Sequence, residues 1–92
     1  MKDIQKMYYS RVEFSQALDV DYQILVRWEK ELKSLKKNFG SKYCSLLRNG
    51  KRYFTSEQFL LYAEVKRFVE IDKVKVSELK DFILNLKSDD VK

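Results

Sequence analysis

Five residues of the segment from Asp21 to Lys36 combine aromatic, hydrogen-bonding and cationic side chains on one helical face. The segment reads DYQILVRWEKELKSLK, whose three- and four-residue apolar steps predict an amphipathic helix. Its polar face carries the mixture that a recognition helix uses against base edges and phosphates in a major groove. A solvated face on an ordinary core helix would have the same composition. The five candidate residues are Tyr22, Gln23, Val26, Arg27 and Lys30.

The positive charge of the chain is concentrated around this segment. The formal net charge of the chain is +5, but nine basic residues oppose two acidic ones between Arg27 and Arg52, a local net charge of +7. A basic centre of this kind indicates a footprint for a polyanion, although a lysine-rich surface kept for solubility would give the same count. The predicted phosphate contacts outside the helix are Lys36, Lys37, Lys42, Arg48, Lys51 and Arg52.

Composition argues against several classes of protein. The chain has 92 residues, 45% hydrophobic and 36% charged, which fits one folded domain. No apolar run is long enough for a membrane span, and no signal peptide is evident. The single cysteine, Cys44, excludes an internal disulfide, and the absence of histidine removes the commonest general base and metal ligand. We therefore expect a cytoplasmic protein that is not an enzyme, that uses no cofactor or metal and that does not bind a membrane.

A short helix is predicted just before the polar segment. Ser10-Arg11-Val12-Glu13 fits a capping box, and the helix that follows is expected to bury Val12, Phe14, Ala17 and Leu18. It is expected to stop near Asp19, and Asp21 is a candidate cap for the next helix. Two helices joined by a three-residue turn make a helix-turn-helix candidate, although generic helical hairpins share this pattern.

A β-hairpin is predicted after the basic centre. Asn49-Gly50 separates two β-prone runs, Tyr43 to Leu47 and Arg52 to Phe54, and Asn-Gly accepts the positive φ angles that a tight hairpin turn requires. With cations around its tip, such a two-stranded ribbon could lie along a DNA backbone as a wing. A hairpin that only closes the core is the alternative.

Two further helices are predicted toward the C-terminus. Thr55-Ser56-Glu57-Gln58 is a second capping box, and the helix that follows is expected to run to about Ile71. The apolar residues of Phe59 to Ile71 cover more than one stripe, so this helix is either central to the fold or docks a partner. A last helix is expected from about Ser77. The predicted domain is 8–86, between a flexible lead, 1–7, and a frayed tail, 87–92.

In this order of elements the chain resembles the DNA-binding domain of the MerR family of bacterial transcription regulators. Three stretches carry the resemblance: YYSRVEFSQALDV, LVRWEKEL from Leu25 to Leu32, and NGKRYFTSEQF from Asn49 to Phe59. The resemblance as a whole covers about Tyr8 to Leu84. The chain departs from the family pattern at Arg11, where the family has isoleucine, and at Asp19, where it has a turn glycine. Val26 stands where the family has arginine, with Arg27 one position later.

The resemblance implies a mainly α fold with a small β-hairpin, a winged helix-turn-helix of about four helices and a two-stranded wing. It implies sequence-specific binding of double-stranded DNA in transcription control, with Ser10 and Arg11 as contacts at the start of the first helix and Arg52 on the backbone. An excisionase-like architectural factor of a mobile element is the first alternative, and a protein-interaction module on the same fold is the second. Without the family's long dimerising helix, we expect a monomer or weak self-association through the Phe59 to Ile71 helix. Without the family's effector domain, we expect a nucleoid-associated protein with no small-molecule effector.

Overall fold

The computed structural model describes the backbone of residues 8–91 and the side chains of residues 8–86. The predicted flexible lead therefore lies outside the described residues. A three-stranded antiparallel sheet and four helices of two or more turns form one body, which confirms the predicted mainly α fold with a small β-hairpin. The strands are β1 (Tyr8–Ser10), β2 (Leu46–Arg48) and β3 (Lys51–Thr55), and the helices are α1 (Arg11–Leu18), α2 (Tyr22–Leu32), the single turn α3 (Lys36–Phe39), α4 (Ser56–Glu70) and α5 (Leu79–Val91).

Local capping interactions determine where the first two helices begin and where the first one ends. The Ser10 hydroxyl accepts a hydrogen bond from the Glu13 amide at 3.1 Å, and the Glu13 carboxylate accepts one from the Ser10 amide at 2.9 Å. Asp19 ends α1 in the left-handed conformation, at φ 60° and ψ 46°, which aspartate tolerates better than most residues. Asp21 then caps α2 by accepting from the Gln23 amide at 3.3 Å. The predicted helix-turn-helix start, turn and restart are all confirmed.

The hairpin forms at the predicted Asn49-Gly50 turn, with φ 50° and 76° at these two residues. Leu46 pairs with Tyr53 and Arg48 with Lys51. The sheet has one strand more than the predicted two-stranded wing, because Tyr8–Ser10 pairs with the other edge of β3. The strand predicted from Tyr43 to Leu47 also begins later than expected. Gly40–Tyr43 forms a 3₁₀ turn, and the strand begins at Leu46.

The core lies between the sheet and the helices, with α4 at its centre. Phe14 stacks on Phe54 with ring centroids 4.2 Å apart, and Tyr62 meets both rings edge-on at 5.5 Å. Most apolar residues of α4 pack in or against this core. This supports the interpretation of α4 as central to the fold, although Leu60 and Ile71 remain exposed. Self-association through α4 stays a prediction.

Three sequence-based expectations differ from the structure. Val12 and Ala17 are exposed rather than buried, because eight residues of α1 turn only the Phe14 and Leu18 side toward the core. The last α-helix begins at Leu79, after a 3₁₀ turn at Val76–Glu78. It continues to Val91, past the predicted boundary at Leu86, because the sequence offers no glycine or proline there to stop it.

A buried glutamine fixes the loop that leads into the hairpin. Besides closing the capping box of α4, Gln58 donates from Nε2 toward the carbonyl oxygens of Ser41, Lys42 and Cys44 at 3.2, 3.1 and 2.6 Å. One turn later the Tyr62 hydroxyl donates to the Tyr43 carbonyl at 2.6 Å. Burial raises the pKa of Tyr62 well above its ordinary value and that of Tyr43 to about 12. Both side chains therefore stay neutral at physiological pH.

Gln58→Glu should lower the free energy of unfolding by about 2 kcal/mol, because a carboxylate keeps the cap but cannot donate to the three carbonyl oxygens. Urea unfolding measures the change. Gln16→Glu, on the exposed side of α1, is the matched control and should stay within roughly 0.5 kcal/mol of the wild type. If Gln58→Glu is as stable as the wild type, the Nε2 contacts do not hold the loop.

Candidate nucleic-acid interface

A cleft of about 410 Å³ separates α2 from the loop and strand of the hairpin. We call it the basic cleft. Of the ten described residues that line it, five are cationic and one, Glu29, is a carboxylate. The cations come from α1, from α2 with the helical turns that follow it, and from β3, so three separate stretches of chain converge here. The cationic residues are Arg11, Lys30, Lys33, Lys36 and Arg52, and the others are Val26, Glu29, Ser41, Cys44 and Ser45.

Glu29 joins the three walls of the basic cleft. Its Oε1 accepts from Arg11 Nη2 at 2.7 Å and from Arg11 Nε at 3.1 Å, which ties α2 to α1. Its Oε2 accepts from the Ser45 hydroxyl at 2.5 Å, which ties α2 to the residue before β2. Arg52 Nη1 lies 3.5 Å from both Ser45 Oγ and the Ser45 carbonyl oxygen. The carboxylate therefore fixes the position of the hairpin relative to α2.

Arg11 keeps its charge in this setting. Partial burial disfavours the charged form, but hydrogen bonding to Tyr22 and Glu29 and the negative charge of Glu29 outweigh that cost, so the pKa of the guanidinium is raised. Only 27% of the Arg11 side chain and 14% of the Glu29 side chain are exposed. The ion pair therefore acts as a brace of the fold at the edge of the cleft, and the predicted DNA contact at Arg11 shares its side chain with that role.

The structure divides the predicted residues of α2 between two sides of the helix. Val26 and Lys30 line the basic cleft. Tyr22 and Gln23 are exposed in the first turn of the helix. Arg27 is also exposed, but it lies on the opposite flank, where a second groove is formed with Ile24 and the C-terminal end of α4. A ligand in the basic cleft therefore meets Lys30 before Arg27.

The predicted residues outside α2 are brought together only in part. Lys36 and Arg52 line the basic cleft, whereas Lys37 and Lys42 are exposed and do not line it. Ser10 was predicted to contact DNA, and in the structure its hydroxyl caps α1. At the tip of the hairpin, the other two cations lie apart from Arg52, because strand alternation turns them to the opposite side of the sheet. These two are Arg48 and Lys51.

Sequence reasoning missed five residues of the basic cleft: Glu29, Lys33, Ser41, Cys44 and Ser45. Lys33 could have been found, because it follows Lys30 by three positions and Val26 by seven, which places all three on one helical face. Glu29 is one of two acidic residues in the basic centre, which is a weak signal for a pairing role. Ser45 has no signal in the sequence, since its contact depends on how the loop folds back on α2.

Among the described residues, no group of three or more His, Cys, Asp and Glu side chains is placed to hold a metal ion. In the same part of the chain, no helix combines the length and apolar character needed to cross a membrane. Comparison of the chain with protein-family models, with curated proteins and with solved structures gives no match.

Proposed function

We propose that this protein binds double-stranded DNA, with α2 in the major groove and the hairpin against the adjacent backbone. The observation that carries the proposal is the convergence of cations from α2 and β3 on the basic cleft, together with the exposed first turn of α2. Phosphates would lie along the cleft, and base edges would meet the first turn. The resemblance to MerR domains supports the same arrangement and, with it, a role in transcription control.

The dimensions of α2 fit this use. Its eleven residues span roughly 16 Å, and a major groove about 12 Å wide accepts one helix. Leu25, Trp28 and Leu32 hold one side of α2 in the core. The opposite side presents Gln23 and Lys30 to solvent. An amide and a cation on a rigid helix are suited to base edges and phosphates respectively.

Substitutions in α2 and in the hairpin should change DNA binding in different ways. Gln23→Ala should relax sequence preference at one base position, where a lost bidentate contact costs roughly 1–3 kcal/mol of discrimination. Arg52→Ala should weaken binding to all sequences about equally and lower the log–log salt slope by roughly 0.9, the contribution of one phosphate. Selection of bound duplexes from a random pool, followed by titration at several salt concentrations, measures both effects.

Each variant has a matched control on an exposed surface away from the basic cleft. Gln16→Ala controls for Gln23→Ala, and Arg67→Ala on α4 controls for Arg52→Ala. Thermal melts establish that all four variants are folded, since Arg52 also approaches Ser45. If the hairpin change alters sequence preference while the helix change does not, α2 is not the reading element. Absence of duplex binding at low salt would overturn the proposed function.

A further inference from the structure

The sheet has a second face that the basic cleft does not use. Tyr9 and Phe54 form a pair in the register and pack in or against the core, so the neighbouring residues of each strand point to the opposite side. Directly paired residues share a face. We call the side of the sheet opposite Tyr9 and Phe54 the outer sheet face. It carries Tyr8, Ser10, Leu46, Arg48, Lys51, Tyr53 and Thr55.

Two tyrosines and an arginine form a hollow on the outer sheet face. Tyr8, Arg48, Asn49 and Tyr53 line a concavity of about 240 Å³. The guanidinium carbon of Arg48 lies 5.6 Å from the centre of the Tyr8 ring, within the range of a cation–π contact. The Tyr8 side chain is 43% exposed. Arg48 and Lys51 are both exposed, and none of the seven residues of the outer sheet face is acidic.

We propose that the outer sheet face binds unpaired nucleotides of a single-stranded nucleic acid. Aromatic rings and the arginine plane stack on bases, and every base has a π face, so such binding tolerates sequence. Arg48 and Lys51 supply the positive charge for the phosphates. A duplex keeps its base faces stacked and hidden, so only unpaired bases fit this chemistry.

The size of the face limits what it holds. Its strands have three to five residues, roughly 10–17 Å, and neighbouring strands lie about 4.8 Å apart. This leaves room for about two nucleotides. Arg52 points to the basic cleft while its neighbours Lys51 and Tyr53 point away. The hairpin thus separates a duplex site from a single-strand site, and the second does not depend on the first.

The first test uses the unaltered protein with fluorescein-labelled oligothymidine and a fully abasic strand of the same length. Both strands carry the same phosphates, so only base stacking distinguishes them. Fluorescence anisotropy should show the abasic strand binding about 5- to 150-fold more weakly, the range expected for one stacked base. Equal affinity for the two strands would overturn the proposal, whatever the affinity for duplex DNA.

The second test uses variants of the two rings. Tyr8→Ala and Tyr53→Leu should each lose oligothymidine affinity by about 5-fold or more, while duplex affinity stays within about twofold of the wild type. Leu60→Ala, which removes an exposed apolar side chain from α4, should change neither affinity. Tyr8 lies at the sheet edge, so its variant remains informative if Tyr53→Leu melts early. Unchanged oligothymidine affinity in a folded Tyr8→Ala variant and a folded Tyr53→Leu variant would overturn the proposal.

Discussion

Raising the salt concentration from 50 to 200 mM should weaken duplex binding roughly 150-fold, because each neutralised phosphate adds about 0.9 to the log–log slope. Four cations of the basic cleft, those other than the Glu29-paired Arg11, give an expected slope of about 3.6. They are Lys30, Lys33, Lys36 and Arg52. Anisotropy titration of a labelled duplex over this salt range measures the slope directly.

The same measurement shows whether the slope comes from the basic cleft. Lys30→Gln combined with Lys33→Gln should lower it by about 1.8, two phosphate contacts. The control combines Arg67→Gln with Lys75→Gln, two exposed residues outside the cleft, and removes the same charge. If both double variants lower the slope equally, binding follows net charge rather than the cleft. A wild-type affinity indifferent to salt would contradict phosphate binding altogether.

The parts of the fold that could be predicted depend on contacts between residues close in sequence. Both capping boxes, the left-handed Asp19 and the Asn49-Gly50 turn were predictable, because each motif satisfies its own backbone within four residues. The third strand was not. Tyr8–Ser10 reads as the approach to α1, and its pairing with β3 joins segments more than forty residues apart.

The candidate site could likewise be predicted only where it depends on residues close in sequence. The exposed face of α2 follows from helical periodicity, which correctly placed Val26 and Lys30 on a common surface. Periodicity did not show that Arg27 faces a different groove, because that depends on where α4 crosses α2. The contacts of Glu29 with Arg11 and Ser45 span 18 and 16 residues. No local pattern encodes them.

Glu29→Gln should give the second large effect, a loss of affinity for the selected duplex. The change in charge alone predicts a gain of that affinity. Removing the Glu29 carboxylate makes the basic cleft more positive, which by itself should strengthen binding to any duplex. The carboxylate also holds α1, α2 and the Ser45 loop together through three hydrogen bonds. Its loss should lower the free energy of unfolding by about 2 kcal/mol, since the pair is only partly exposed.

If Glu29 positions the hairpin against α2, the preferred duplex should lose its advantage. We expect Glu29→Gln to bind non-specific duplex more tightly and the selected duplex more weakly, so that the ratio of the two affinities falls roughly tenfold, as for one misplaced base contact. Competition titrations with both duplexes measure this ratio. Ser45→Ala removes one of the three hydrogen bonds without changing charge and should give a smaller fall.

A destabilised variant with an intact cleft separates positioning from stability. Ile83→Val removes one methyl group from a buried residue of α5 and should cost about 1 kcal/mol. It should leave the affinity ratio unchanged, because the Glu29 contacts are untouched. If a folded Glu29→Gln binds both duplexes more tightly and keeps their ratio, the carboxylate only offsets charge. A fall in the ratio, reproduced in part by Ser45→Ala and absent from Ile83→Val, identifies Glu29 as the residue that sets the geometry between α2 and the hairpin.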